Sequence, residues 1–101
     1  MKNYANPAEI MYHTGLSADM IRGAKYALVP GDPGRVEGLA KALDEKAFFI
    51  ASHRDYTTWL AQVRNTPVLV MSSGMGGPCV TFAVEELARL GVETFIRVGT
   101  T

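Results

Sequence analysis

Twice along this chain a short apolar run passes through a glycine-bearing turn directly into an amphipathic helix. Tyr26–Pro30 (YALVP) leads into Gly31-Asp32-Pro33 and a helix with Val36, Leu39, Ala40 and Leu43 on one face. Val68–Ser72 (VLVMS) leads into Ser73-Gly74-Met75-Gly76-Gly77-Pro78 and a helix with Val80, Ala83, Val84 and Leu87 on one face. A continuously apolar strand needs cover on both sides, and helices with 3-and-4 apolar spacing supply it. The pattern predicts an α/β fold, a mixed central β-sheet flanked by helices. The remaining segments fit: Ala47–Ala51 and Thr57–Val63 read as strands, Arg64–Pro67 as a hairpin turn, and Glu93–Val98 as a last strand. Ser17 opens a capped helical turn ending near Gly23, while residues 1–16, punctuated by Pro7 and Gly15, read as irregular. The order is β-α-β-β-β-α-β. It stops on Gly99-Thr100-Thr101, at the carboxyl end of a strand with no helix to follow. Residues 1–101 therefore read as the N-terminal part of a larger single domain.

Composition narrows the classes of function. At 101 residues, with 48% hydrophobic and 20% charged residues, the chain has material for one core. Ten Lys+Arg balance ten Asp+Glu, so no basic field exists to attract nucleic acid or an anionic membrane. Cys79 is the single cysteine, which excludes an internal disulfide and suits a reducing cytoplasm. No run approaches the ~18 apolar residues of a membrane span, and the N-terminus has no signal-length apolar stretch. A cytoplasmic protein is expected. His13 and His53 have the spacing of neither a metal site nor a triad, and no HExxH or Asp-rich loop occurs, so no metal is expected.

Three places could carry chemistry. In VPGDPGRV, Gly31 allows close backbone approach and the helix start offers N–H groups to an anion. Arg35 falls in the first helical turn, the unfavourable end for a cation unless Asp32 or a bound anion offsets it. The loop reads either as a capped helix with a solvated arginine or as an anion site. SSGMGGP is not a dinucleotide fingerprint, because Cys79 occupies the third glycine position and Gly77-Pro78 breaks the spacing. Cys79 reads as a small packing residue. In TFIRVGTT, Arg97 lies between Ile96 and Val98 near the end of a strand expected to be interior, where a guanidinium requires an opposing charge. That charge is either a carboxylate of the protein or a bound oxyanion shared with the Thr100 hydroxyl. Ser52-His53-Arg54-Asp55 lies between two strands and by itself reads as a solvated turn.

Taken together, YHTGL, VPGDPGRV, ASHRDYTTW, SSGMGGP, VEELARLG and FIRVGTT resemble the nucleoside phosphorylase family in its uridine phosphorylase branch, in family order from about residue 12 to residue 101. The resemblance covers about the first two-fifths of such a protein. It implies a phosphate site of Gly31, Arg35, Arg54, Arg97 and Thr100, with Arg54 donated by the neighbouring subunit of a dimer. It implies that His13 and Thr100 contact the ribose and that Arg97 and Thr100 carry catalysis. Tyr56 stands where the family has an aromatic residue near the subunit boundary. Hexamers built as trimers of dimers are implied, with uridine and inorganic phosphate as substrates and no cofactor. Some bacterial members hold a monovalent cation at positions that here look like Asp55, Met75 and Cys79. The shorter carboxylate and the soft thiol disfavour potassium. The family's pyrimidine-reading Gln/Arg pair and its Met-Glu ribose clamp belong to its second half and are not among these residues.

The activity so implied is reversible phosphorolysis of uridine to uracil and ribose 1-phosphate, in pyrimidine nucleoside salvage. A purine nucleoside phosphorylase of the same fold is the nearest alternative, opposed by SHRDYTTW and the Thr100-Thr101 pair. A hydrolytic nucleosidase would leave the arginines without a task, and a dinucleotide-binding oxidoreductase is opposed by the glycine spacing. A catalytically incomplete fragment is the non-enzymatic alternative.

Overall fold

The structure is a computed structural model that describes residues 10–11, 14–53, 56–73 and 77–98, with only the backbone of residues 77–79 described. A helical turn, α1 (Ala18–Ile21), precedes β1 (Tyr26–Pro30). A 3-10 turn (Pro33–Arg35) then runs into α2 (Val36–Leu43), followed by β2 (Phe48–His53), β3 (Tyr56–Val63) and β4 (Thr66–Met71). The last elements are α3 (Gly77–Arg89) and β5 (Thr94–Val98).

The five strands form one mixed sheet in the order β2-β3-β4-β1-β5. β3 pairs antiparallel with β2 and β4, whereas β1 pairs parallel with β4 and β5. Strand alternation sorts the side chains onto two faces. Ala27 and Val29 of β1, Leu69 and Met71 of β4, and Tyr56 and Leu60 of β3 meet Ala83, Leu87 and Leu90 on one side. Leu28, Val70, Ala61 and Trp59 meet Val36, Leu39 and Ala40 on the other. α3 thus covers one face and α2 the other, as the helix stripes require. Lys41 of α2 stands 5.5 Å over the Trp59 ring, which also meets Phe49 edge-on at 6.4 Å.

The ends of these elements show local chemistry at work. Asp32 caps the first turn of the helix, its Oδ1 accepting from the Gly34 N–H at 2.9 Å, with Pro33 at the first position. Ser17 precedes α1 in extended conformation, but its side chain makes no cap hydrogen bond; the expected cap is absent. That turn closes instead with Arg22 and Gly23, both at positive φ. β3 and β4 join through two residues, Arg64 and Asn65, at φ 53° and 67°. Positive φ at both central positions matches the right-handed twist of a hairpin. β4 accordingly begins at Thr66, inside the segment expected as turn. Asp44 follows α2 and its carboxylate accepts from the N–H groups of Lys46 (3.0 Å) and Gln62 (2.9 Å), tying the α2–β2 turn to β3. These two backbone donors, Gln62 first, hold the Asp44 carboxyl below its ordinary value of 3.8.

One expectation changes and another is refined. The described residues before α1 carry no helix or strand, as expected, yet Met11 and Leu16 are buried in the α3-side core with Ile21 and Ala24. β5 is an edge strand among the described residues, so Arg97 is exposed and no desolvation penalty forces a partner on it. Apolarity of TFIRV came from two half-buried side chains, Phe95 and Val98, and one open one, Ile96, rather than from burial on both faces.

Candidate functional site

The parallel pairing of β1 with β5 places Val29 beside Arg97 and Pro30 beside Val98. Gly31 follows Pro30 directly, so Gly31, Arg35 and Arg97 all stand at the carboxyl edge of the two strands, as the sequence predicts. β4 ends at the same edge: the Ser73 N–H donates to the Pro30 carbonyl at 2.9 Å. Because β3 runs antiparallel to β4, its first residues also arrive there. The Thr57 N–H donates to Ser72 Oγ at 2.9 Å, and the Ser72 N–H donates back to the Thr57 carbonyl at 3.0 Å. His53 pairs with Tyr56 at that end, and Ser52 Oγ lies 3.2 Å from Thr57 Oγ1. In open α/β sheets this carboxyl edge is where ligands bind.

Electrostatics at the edge favour an anion. Arg35 and Arg97 form no ion pair among the described residues. The exposed pairs Lys25–Glu93 and Lys41–Glu37 lie elsewhere. The carboxylate partner weighed for Arg97 is therefore not supplied by any described residue. At the helix start, the Arg35 N–H donates to the Asp32 carbonyl at 3.0 Å while the Asp32 side chain takes the Gly34 N–H. Asp32 thus occupies backbone donors that an anion would otherwise receive, which leaves the Arg35 guanidinium as the cation of a loop that also carries the Asp32 carboxylate. Tyr56, expected near a subunit boundary, is buried in the α3-side core.

Several expected site residues lie outside the described residues: His13, Arg54 and Thr100, and Asp55 and Met75 of the cation set, while the Cys79 side chain is likewise outside them. Sequence reading passed over Ser72 and Ser73, buried serines that lock β4 to β3 and β1 beneath the edge. Two consecutive serines closing an apolar run, VLVMSS, were the available signal.

An open α/β sheet that brings two arginines, neither in an ion pair among the described residues, and a glycine turn to its carboxyl edge belongs to the class that takes its ligands at that edge. Comparison with known proteins gives the class its family. The sequence model of the Phosphorylase superfamily matches residues 25–101. Uridine phosphorylase of Escherichia coli (strain K12) is 53% identical over 91 residues, which is 90% of this chain and 36% of the relative. That of Klebsiella aerogenes is 52% identical with the same coverage. A guanosine phosphorylase of Halorubrum lacusprofundi is 45% identical over 76 residues, 75% of this chain and 31% of the relative. The chain belongs to the Phosphorylase superfamily. It spans 36% of the length of the uridine phosphorylases it most resembles among these.

Proposed function

We propose that this chain is part of a uridine phosphorylase, catalysing the reversible phosphorolysis of uridine to uracil and ribose 1-phosphate. The observation that carries the reading is the register of β1 and β5, which delivers Gly31, Arg35 and Arg97 to one edge with neither arginine neutralised by a described carboxylate. The names of the relatives at about half identity support the pyrimidine substrate over the purine one.

In this reading Arg35, Arg97, the Gly31 backbone and the Thr100 hydroxyl hold phosphate, and Arg54 completes the site from a neighbouring subunit. His13 contacts the ribose 5′-hydroxyl and Thr100 also faces the ribose. As the glycosidic bond breaks, the sugar gains oxocarbenium character. The bound hydrogen phosphate dianion stabilises that charge and attacks the anomeric carbon, and the electron pair of the broken bond leaves with the base. The proton that phosphate gives up in forming ribose 1-phosphate balances the one the base takes up to become uracil. Arginine stays protonated throughout and serves to position and to balance charge, not to transfer protons. Positioning and electrostatics carry the reaction, with no covalent enzyme intermediate. Phosphate is a substrate, and no resident cofactor or metal is needed. The protein would act in cytoplasmic pyrimidine nucleoside salvage as a hexamer of three dimers.

The test is uracil release from uridine, with and without phosphate and with inosine as control, using the longest natural form that carries this sequence. Phosphate-dependent release that Arg97→Ala abolishes, in a variant with unchanged circular dichroism, is expected. Phosphate-independent release would indicate a nucleosidase, and cleavage of inosine alone the purine branch.

A further inference from the structure

Glu86 is the one charged side chain buried among the described residues. It lies on the core side of α3, three residues after Ala83 and four before Leu90, both buried. An apolar residue there would spare the desolvation of a carboxylate, so its presence requires a task. Its Oε1 accepts the Thr14 N–H at 2.8 Å, across 72 residues of sequence. That N–H belongs to the peptide unit joining His13 to Thr14.

The surrounding contacts turn this bond into a clamp. Thr14 is fully buried, and its Oγ1 accepts from the Leu16 N–H at 3.3 Å. The Met11 N–H donates to the Leu16 carbonyl at 2.7 Å, and the Gly15 N–H to the Met11 carbonyl at 3.0 Å. Gly15, at φ +72°, lies against His53, where a Cβ would stand 3.1 Å from the His53 Cβ. Met11 and Leu16 are held in the core, and Glu86 fixes the Thr14 N–H.

We propose that Glu86 is a positioning residue for substrate binding: by holding the His13–Thr14 peptide it sets His13 against the ribose 5′-hydroxyl. This rests on the reading of His13 given above. A buried acceptor fixed to α3 restricts that backbone in a way that solvent could not, and a contact to one hydroxyl depends on such restriction.

The experiment compares uridine with 5′-deoxyuridine, which lacks the hydroxyl, in the longest natural form of the protein. Glu86→Leu removes the acceptor. It is expected to raise KM for uridine on the order of tenfold while leaving KM for phosphate and turnover of 5′-deoxyuridine unchanged. Glu86→Gln keeps an oxygen acceptor and is expected to stay near wild type. His13→Ala should erase the preference for uridine, and adding Glu86→Leu to it should cost nothing more. Should Glu86→Leu fail to fold, Glu86→Asp withdraws the acceptor by one methylene and should give the same selective shift to a smaller degree. Equal losses on both nucleosides, or an unchanged preference in Glu86→Leu and Glu86→Asp, would overturn the proposal while His13→Ala still showed its effect. If His13→Ala itself left the preference intact, the reading of His13 would fall and this proposal with it.

Discussion

Single residues in this fold carry two measurable loads. Thr58 is fully buried on β3, and its hydroxyl has no hydrogen-bond partner among the described residues. A buried hydroxyl without a partner destabilises by roughly 1–3 kcal/mol, and valine fills nearly the same shape without it. Thr58→Val should therefore raise stability by about 1 kcal/mol in urea unfolding; a loss would mean that the hydroxyl is satisfied in solution. Asp44 acts in the opposite sense. Its carboxyl lies below 3.8 in the folded state, chiefly through the Gln62 N–H and then the Lys46 N–H. The ionised form is thus favoured by folding, so its contribution is complete above the unfolded value and is lost as pH falls through the folded one. Wild type should melt above Asp44→Asn at neutral pH, and the gap should close as the solution is acidified below 3.8. A gap independent of pH would assign the difference to the amide's shape and not to charge.

At the scale of elements, the two helices act on opposite faces of one sheet, and this predicts how damage spreads. Leu87 is fully buried in the α3-side core with Leu60, Leu69 and Met71. Leu87→Ala should cost roughly 2–5 kcal/mol, since the site must both lose apolar transfer energy and leave a void. Trp59, the only tryptophan, sits on the α2 side with Phe49 and Lys41. If the sheet couples both faces, Trp59 fluorescence and circular dichroism should shift to the same lower urea midpoint in Leu87→Ala. Separate midpoints would show that α3 can leave while α2 stays. The elements themselves were readable because each is written locally: continuously apolar or β-former-rich runs for strands, 3-and-4 spacing for Val36 and Ala40, Asp32-Pro33 as a helix start. The strand order was not. Whether TFIRV is flanked on one side or both depends on strands distant in sequence, so the local pattern brings Arg97 to the carboxyl end of its strand but does not say that β5 has a neighbour on one side only among the described residues. Glu86 escaped notice for the same reason, its partner being 72 residues away.

The whole molecule presents an uneven surface. On the α2 side, Tyr26, Leu28, Leu43, Val63, Val68 and Ile96 line an open apolar groove of about 220 Å³ that runs to β5, the edge strand among the described residues. Ile96 is 51% exposed and Tyr26 46%, high values for large side chains on or beside a strand that is paired on one side only among the described residues. Open strand edges with apolar flanks template pairing with further chains, and natural proteins blunt them with charge, lysine above all. The candidate phosphate edge occupies the carboxyl ends of the same β1 and β5, so whatever happens along β5 bears on Arg97 directly. Studied as a 101-residue polypeptide, the protein should therefore bind the dye ANS and self-associate with rising concentration. Ile96→Lys puts a charge in the groove without touching either core cluster, and should reduce both effects while leaving circular dichroism unchanged. Light scattering against concentration for the two forms decides the matter. If the substitution changes nothing, association runs through another surface, the exposed Phe48 and Phe49 on the opposite edge strand being the next to test.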